Sequence, residues 1–82
     1  MDYRSLTEKI VTGLVMNTDA VRVQEFTSED DDAIVLEVLV TEEDIGRVIG
    51  KGGKTANAIR TLVQASSSLH DQKYVKINFD KF

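Results

Sequence analysis

Three glycines and two lysines fall within five residues, Gly50-Lys51-Gly52-Gly53-Lys54. Glycine has no Cβ and takes positive φ at no steric cost, so such a run lets main-chain N–H groups approach another molecule closely. Apolar stripes on either side, Ile45-Val48-Ile49 before and Ala56-Ile59-Val63 after, read as helices. A loop that opens a helix presents unpaired N–H groups and a partial positive charge, which suits phosphate. Lys51 within the loop and Lys54 after it add cationic side chains. The expected chemistry is phosphate contact.

The charge distribution agrees. The chain of 82 residues is acidic, with 10 Lys+Arg against 14 Asp+Glu and a formal net charge of -4. Between Gly46 and Val63 the only charged residues are Arg47, Lys51, Lys54 and Arg60, so this stretch carries +4 and the remainder -8. An acidic body of this kind repels polyanions in general and admits them at one basic face. With 41% hydrophobic and 29% charged residues the composition fits one globular domain over 1–82. There is no cysteine, which excludes disulfide and thiolate chemistry. No apolar run approaches the ~20 residues that cross a bilayer, and no signal-peptide core follows Met1-Asp2-Tyr3-Arg4. A cytoplasmic protein without membrane contact is expected.

Catalytic readings are weaker. Gly53-Lys54-Thr55 matches the end of the nucleotide-binding pattern G-x-x-x-x-G-K-[ST], but the pattern's first glycine falls on Val48 and the loop follows a helix instead of a strand. His70 is the only histidine, with no cysteine to join it as a metal ligand or nucleophile. Glu42, Glu43 and Asp44 are explained by the preference of a first helical turn for acids. Glu29 to Asp32, four acids in a row, lack the spacing and central glycine of a calcium loop and read as solvated loop charge. No catalysis, metal or cofactor is expected.

Periodicity supplies the scaffold for the loop. Tyr3, Leu6, Ile10 and Leu14 mark an amphipathic helix over 3–16. Val21 and Val23 alternate with Arg22 and Gln24 in a strand over 20–26, in which Phe26 has the wrong parity and predicts a bulge or an early end. Ile34 to Val40 alternates over its whole length, the strongest strand pattern in the chain. Thr41-Glu42-Glu43-Asp44 resembles a capping box and opens a helix over about 42–49 that buries Ile45, Val48 and Ile49. A third helix buries Ala56, Ile59, Leu62, Val63 and Ser66, and Val75, Ile77 and Phe79 mark a last strand over 73–79. The order α-β-β-α-α-β predicts an α+β domain with a three-stranded mixed sheet and three helices on one face. The first two strands pair antiparallel, and the third lies parallel to one of them across the helical crossover. The other face of the sheet stays open, with Val35, Leu39 and Tyr74 leaving it partly apolar.

Val48-Ile49-Gly50-Lys51-Gly52-Gly53 closely resembles the V-I-G-x-x-G signature of KH domains, single-stranded nucleic-acid binders whose GXXG loop clamps four backbone nucleotides. The element order resembles the bacterial type II KH fold, and the string from Asp44 through Thr61 is similar to the small stand-alone bacterial KH proteins of the KhpA family. The resemblance implies single-stranded RNA bound without catalysis. Gly50 and Gly53 take the place of the defining glycines, with Lys51 and Gly52 the variable pair between them. Loop amides would hold phosphates, supported by Arg47, Lys51, Lys54 and Arg60. Bases would turn toward an apolar groove, for which Ile45, Val48, Ile49, Ala56 and Ile59 are the candidates. Ala56 stands where many KH domains carry isoleucine, which makes the groove wall shallower. No aromatic lies between Phe26 and Tyr74, so no stacking partner is expected from residues near the loop in sequence. The resemblance further implies a homodimer, or pairing with a larger KH protein of the Jag type. The implied role is post-transcriptional regulation or RNA chaperoning in cell elongation and division. The alternative is a protein-interaction scaffold, built on exposed apolar positions of the third helix or near the loop, in which RNA contact is secondary.

Overall fold

A computed structural model describes residues 1–28 and 32–82; Glu29, Asp30 and Asp31, three of the four acids expected as solvated loop charge, lie outside them. Strands β1 (Arg22–Thr27), β2 (Ile34–Val40) and β3 (Val75–Lys81) form one sheet in the order β1-β2-β3. β1 pairs antiparallel with β2, from Arg22 opposite Leu39 to Thr27 opposite Ile34. β3 pairs parallel with β2, from Val75 beside Ile34 to Lys81 beside Val40. The helices between β2 and β3 provide the long crossover that a parallel neighbour needs. Those helices are α2 (Ile45–Ile49) and α3 (Lys54–His70), and α1 (Tyr3–Thr12) precedes the sheet. Leu36 and Val38 of β2 and Val75 and Ile77 of β3 alternate into a core shared with Tyr3 and Val11 of α1, Val48 of α2, and Ile59 and Val63 of α3. This is the expected α+β arrangement. Among the described residues no helix is long and apolar enough to cross a membrane.

Several boundaries and faces depart from the sequence expectation. α1 is shorter than 3–16. Asp2 caps it by accepting from the Ser5 N–H at 3.0 Å, and it ends at Gly13, whose N–H bonds the carbonyls of Lys9 and Ile10. The chain then turns so that Met16 and Asn17 donate their N–H groups to the Asp44 carboxylate at 3.1 and 2.9 Å, a demand that a continued helix would defeat. The buried stripe of α1 is Tyr3, Thr7 and Val11; Leu6 and Ile10 sit at its margin and Leu14 is exposed. β1 carries no bulge. Its pairing runs unbroken through Phe26 opposite Val35, and the parity that is wrong for the core is right for the open face, where Phe26 lies exposed.

α2 starts at Ile45, three residues later than expected. Thr41 does not cap α2, whose N-cap is Asp44 with no side-chain cap; its hydroxyl accepts from the Asp44 N–H at 3.3 Å within a preceding turn that carries the Asp44 carboxylate fully inside. On α3 the buried stripe is Ala56, Ile59, Val63 and Ser67, so Leu62 is corrected to the outer surface and Ser66 to the margin. β3 begins two residues later than expected because the Lys73 carbonyl is taken by α3, accepting from Ser67 Oγ at 2.7 Å and Gln64 Nε2 at 3.0 Å.

Candidate nucleic-acid interface

α2 ends where Gly50 takes φ 75° and ψ 171°, and the chain reverses in a 3-10 turn over Lys51–Gly53 before α3 begins. Gly52 and Gly53 also have positive φ, 64° and 81°. A Cβ on Gly50 would stand 2.8 Å from both N and Cβ of Thr55, so conformation and space alike require glycine there. At Gly52 nothing lies within 4 Å, and only the left-handed conformation favours glycine. The N–H groups of Gly53 and Lys54 close the turn on the carbonyls of Gly50 and Lys51. Among the described residues no protein acceptor meets the N–H groups of Lys51 and Gly52. Two such donors beside the first turn of a 17-residue helix make a concavity suited to an anion. The loop follows a helix, so the nucleotide-hydrolase pattern lacks its strand.

The four cations of this stretch are not equivalent. Lys51 and Lys54 are exposed, and neither is ion-paired among the described residues. Arg47 on α2 is held by Asp44 at 2.9 Å and donates to the Glu43 carbonyl at 3.2 Å. Arg60 on α3 donates from Nε to the Ile77 carbonyl at 3.1 Å and from NH1 to Asn57 Oδ1 at 3.0 Å, while its guanidinium lies over the Phe79 ring, 5.1 Å from the centroid. Two cations are therefore free at the loop and two are anchored by the protein.

Among the expected groove residues, Ile45 and Ile49 are partly exposed. Val48, Ala56 and Ile59 are corrected to buried positions: at 0%, 2% and 3% exposure their side chains offer almost no surface to a groove. A groove does run between α3 and the outer edge of β3, bordered by Arg60, Gln64, Tyr74, Lys76 and Asn78. Gln64 ties its two walls together, donating to the Lys73 carbonyl and accepting from the Val75 N–H at 2.9 Å. Phe79 reaches Arg60 through the packing of α3 against β3, an approach that proximity in sequence does not reveal. His70 is exposed, with Nδ1 2.8 Å from the Ser66 carbonyl.

Asp44 is the residue that sequence reasoning undervalued. Burial favours its neutral form, but the N–H groups of Met16 and Asn17, the Asn17 side-chain amide and the Thr41 hydroxyl outweigh it and hold the carboxyl well below the usual carboxylate range. It thereby ties the end of α1 to the start of α2 and fixes Arg47. No local signal distinguishes it from Glu42 and Glu43, because the Met16 and Asn17 donors that hold it come from a distant segment.

Residues 4–78 match the family model described as KhpA/KhpB, KH domain. The chain is 42% identical over 72 residues to the RNA-binding protein KhpA of Clostridium acetobutylicum, spanning 88% of this chain and 93% of that protein. It is 46% identical over 70 residues to the protein of the same name from Caldanaerobacter subterraneus subsp. tengcongensis, spanning 85% and 89%. For the one from Thermotoga maritima the identity is 39% over 74 residues, spanning 90% and 93%. No solved structure gives a significant match.

Proposed function

The chain belongs to the KhpA/KhpB family of KH domains, and from that footing we propose that it binds single-stranded RNA non-catalytically by gripping the sugar-phosphate backbone at the Gly50–Gly53 loop. The observation that carries this reading is the pair of unspent N–H groups, on Lys51 and Gly52, at a turn flanked by two unpaired lysines. Its relatives carry the name RNA-binding protein. In this reading Gly50 and Gly53 shape the bend, Lys51 and Lys54 supply charge, and Ile45 and Ile49 border the path of the bases. Val48, Ala56 and Ile59 support them from beneath. Arg47 and Arg60 reinforce the basic face from anchored positions.

Few phosphates are neutralised by so small a site, so affinity is modest and falls with salt. A second domain raises it by avidity, supplied by a second copy of the chain or by a larger KH protein of the Jag type. Leu62 and Leu69, 53% and 82% exposed on α3, favour a protein contact of this kind. The cellular role is post-transcriptional regulation or RNA chaperoning in cell elongation and division, in the cytoplasm.

The test is a Lys51→Asp, Gly52→Asp double variant. Aspartate tolerates the left-handed conformation of Gly52 better than most residues, and the site has room. Binding to short single-stranded RNA at low salt should weaken at least ~10-fold while the thermal midpoint shifts by only a few degrees. Unchanged RNA affinity in the folded variant would contradict the reading. Were RNA binding absent from the start and association with a protein partner intact in the variant, the scaffold alternative would stand instead.

A further inference from the structure

The groove between α3 and β3 is bordered by two cations, Arg60 and Lys76, and among the described residues no acid lines it, although the chain as a whole is acidic. Beside it the Arg60 guanidinium is held by two hydrogen bonds, Nε to the Ile77 carbonyl and NH1 to Asn57 Oδ1, and its Cζ lies over the Phe79 ring, 5.1 Å from the centroid. These contacts fix the guanidinium while the residue as a whole stays exposed. A guanidinium plane stacks well on aromatic rings and on nucleobases. Because this one is already immobilised, a base that stacks on it forfeits little further side-chain entropy. The Phe79 ring backs the guanidinium, and exposed Tyr74, just before β3, borders the same groove.

We propose that Arg60 and Phe79 form a stacking platform for one unpaired base of the bound single-stranded RNA, so that Arg60 acts through its plane and not as a phosphate clamp. The inference rests on the RNA-binding reading above. It gives the chain a base contact that its loop region lacks, and it is tolerant of base identity because every base has a π-face.

Six-nucleotide single-stranded RNAs, intact and with one abasic nucleotide at each position in turn, are titrated at low ionic strength against wild type, Arg60→Lys and Phe79→Leu. Arg60→Lys keeps the charge and removes the plane; Phe79→Leu keeps the apolar cover and removes the ring. Each should weaken the intact RNA about 5- to 10-fold without changing the slope of log affinity against log salt. At one abasic position the difference between wild type and each variant should vanish, because the base that stacked is gone. Unshifted amide signals of the loop in the free variants establish that the site is undisturbed. The proposal is overturned if wild type and Arg60→Lys bind the intact RNA equally, or if the variants stay weaker at every abasic position. If wild type binds no RNA at all, both this proposal and the reading beneath it fall; loss of the platform alone leaves loop binding standing.

Discussion

At Gly50 a single methyl group would press on the backbone of Thr55, whereas at Gly52 it would meet only solvent. The two loop glycines therefore separate by experiment. Gly50→Ala should cost about 2–4 kcal/mol through forbidden conformation plus overlap, and Gly52→Ala about 1–2 kcal/mol from the left-handed conformation alone. Urea denaturation midpoints check the order. Asp44 offers a second residue-level test. Its carboxyl is depressed below the ordinary 3.8, so the unfolded chain takes up the proton first as pH falls. The stabilisation it gives is complete at neutral pH and is lost below about pH 4, toward the depressed folded value. Asp44→Asn should lower the thermal midpoint by roughly 10 °C at pH 7, and the gap from wild type should narrow on acidification below pH 4. A constant gap across that range would remove the charge from the account.

Among the elements, β2 and the glycine loop between two helices were legible because their signals are local: strict alternation over seven residues, and a run of residues without Cβ. The burial of α3 was legible only to within one residue. Leu62 and Val63 are adjacent and both apolar, so periodicity alone cannot decide which faces in; packing against the sheet selects Ala56, Ile59, Val63 and Ser67. The early end of α1 was not legible, because its cause is the demand of Asp44 for the Met16 and Asn17 N–H groups across the fold. The outward Leu62 that results carries its own prediction. If a second copy docks on α3, Leu62→Glu should convert a dimer to a monomer in light scattering at tens of micromolar, with RNA contact per chain retained. An unchanged molar mass would remove Leu62 from the interface.

For the molecule as a whole, an acidic chain carries a stretch of +4 between Gly46 and Val63, and under the proposed reading RNA is received at that stretch and repelled elsewhere. With two to four phosphates neutralised, log affinity should fall with log salt at a slope of about -1.5 to -3. Under the stacking proposal, the groove beside β3 sets how the bases lie once the backbone is held. The central claim is that main-chain donors at the bend hold the strand, and amide NMR during titration with single-stranded RNA at low ionic strength reads those donors directly. The account predicts that the Lys51 and Gly52 amide signals move first and farthest, while Tyr3 and Asp71, joined by a side-chain hydrogen bond, stay in place. Loop signals that remain still while RNA binds elsewhere on the chain would contradict it.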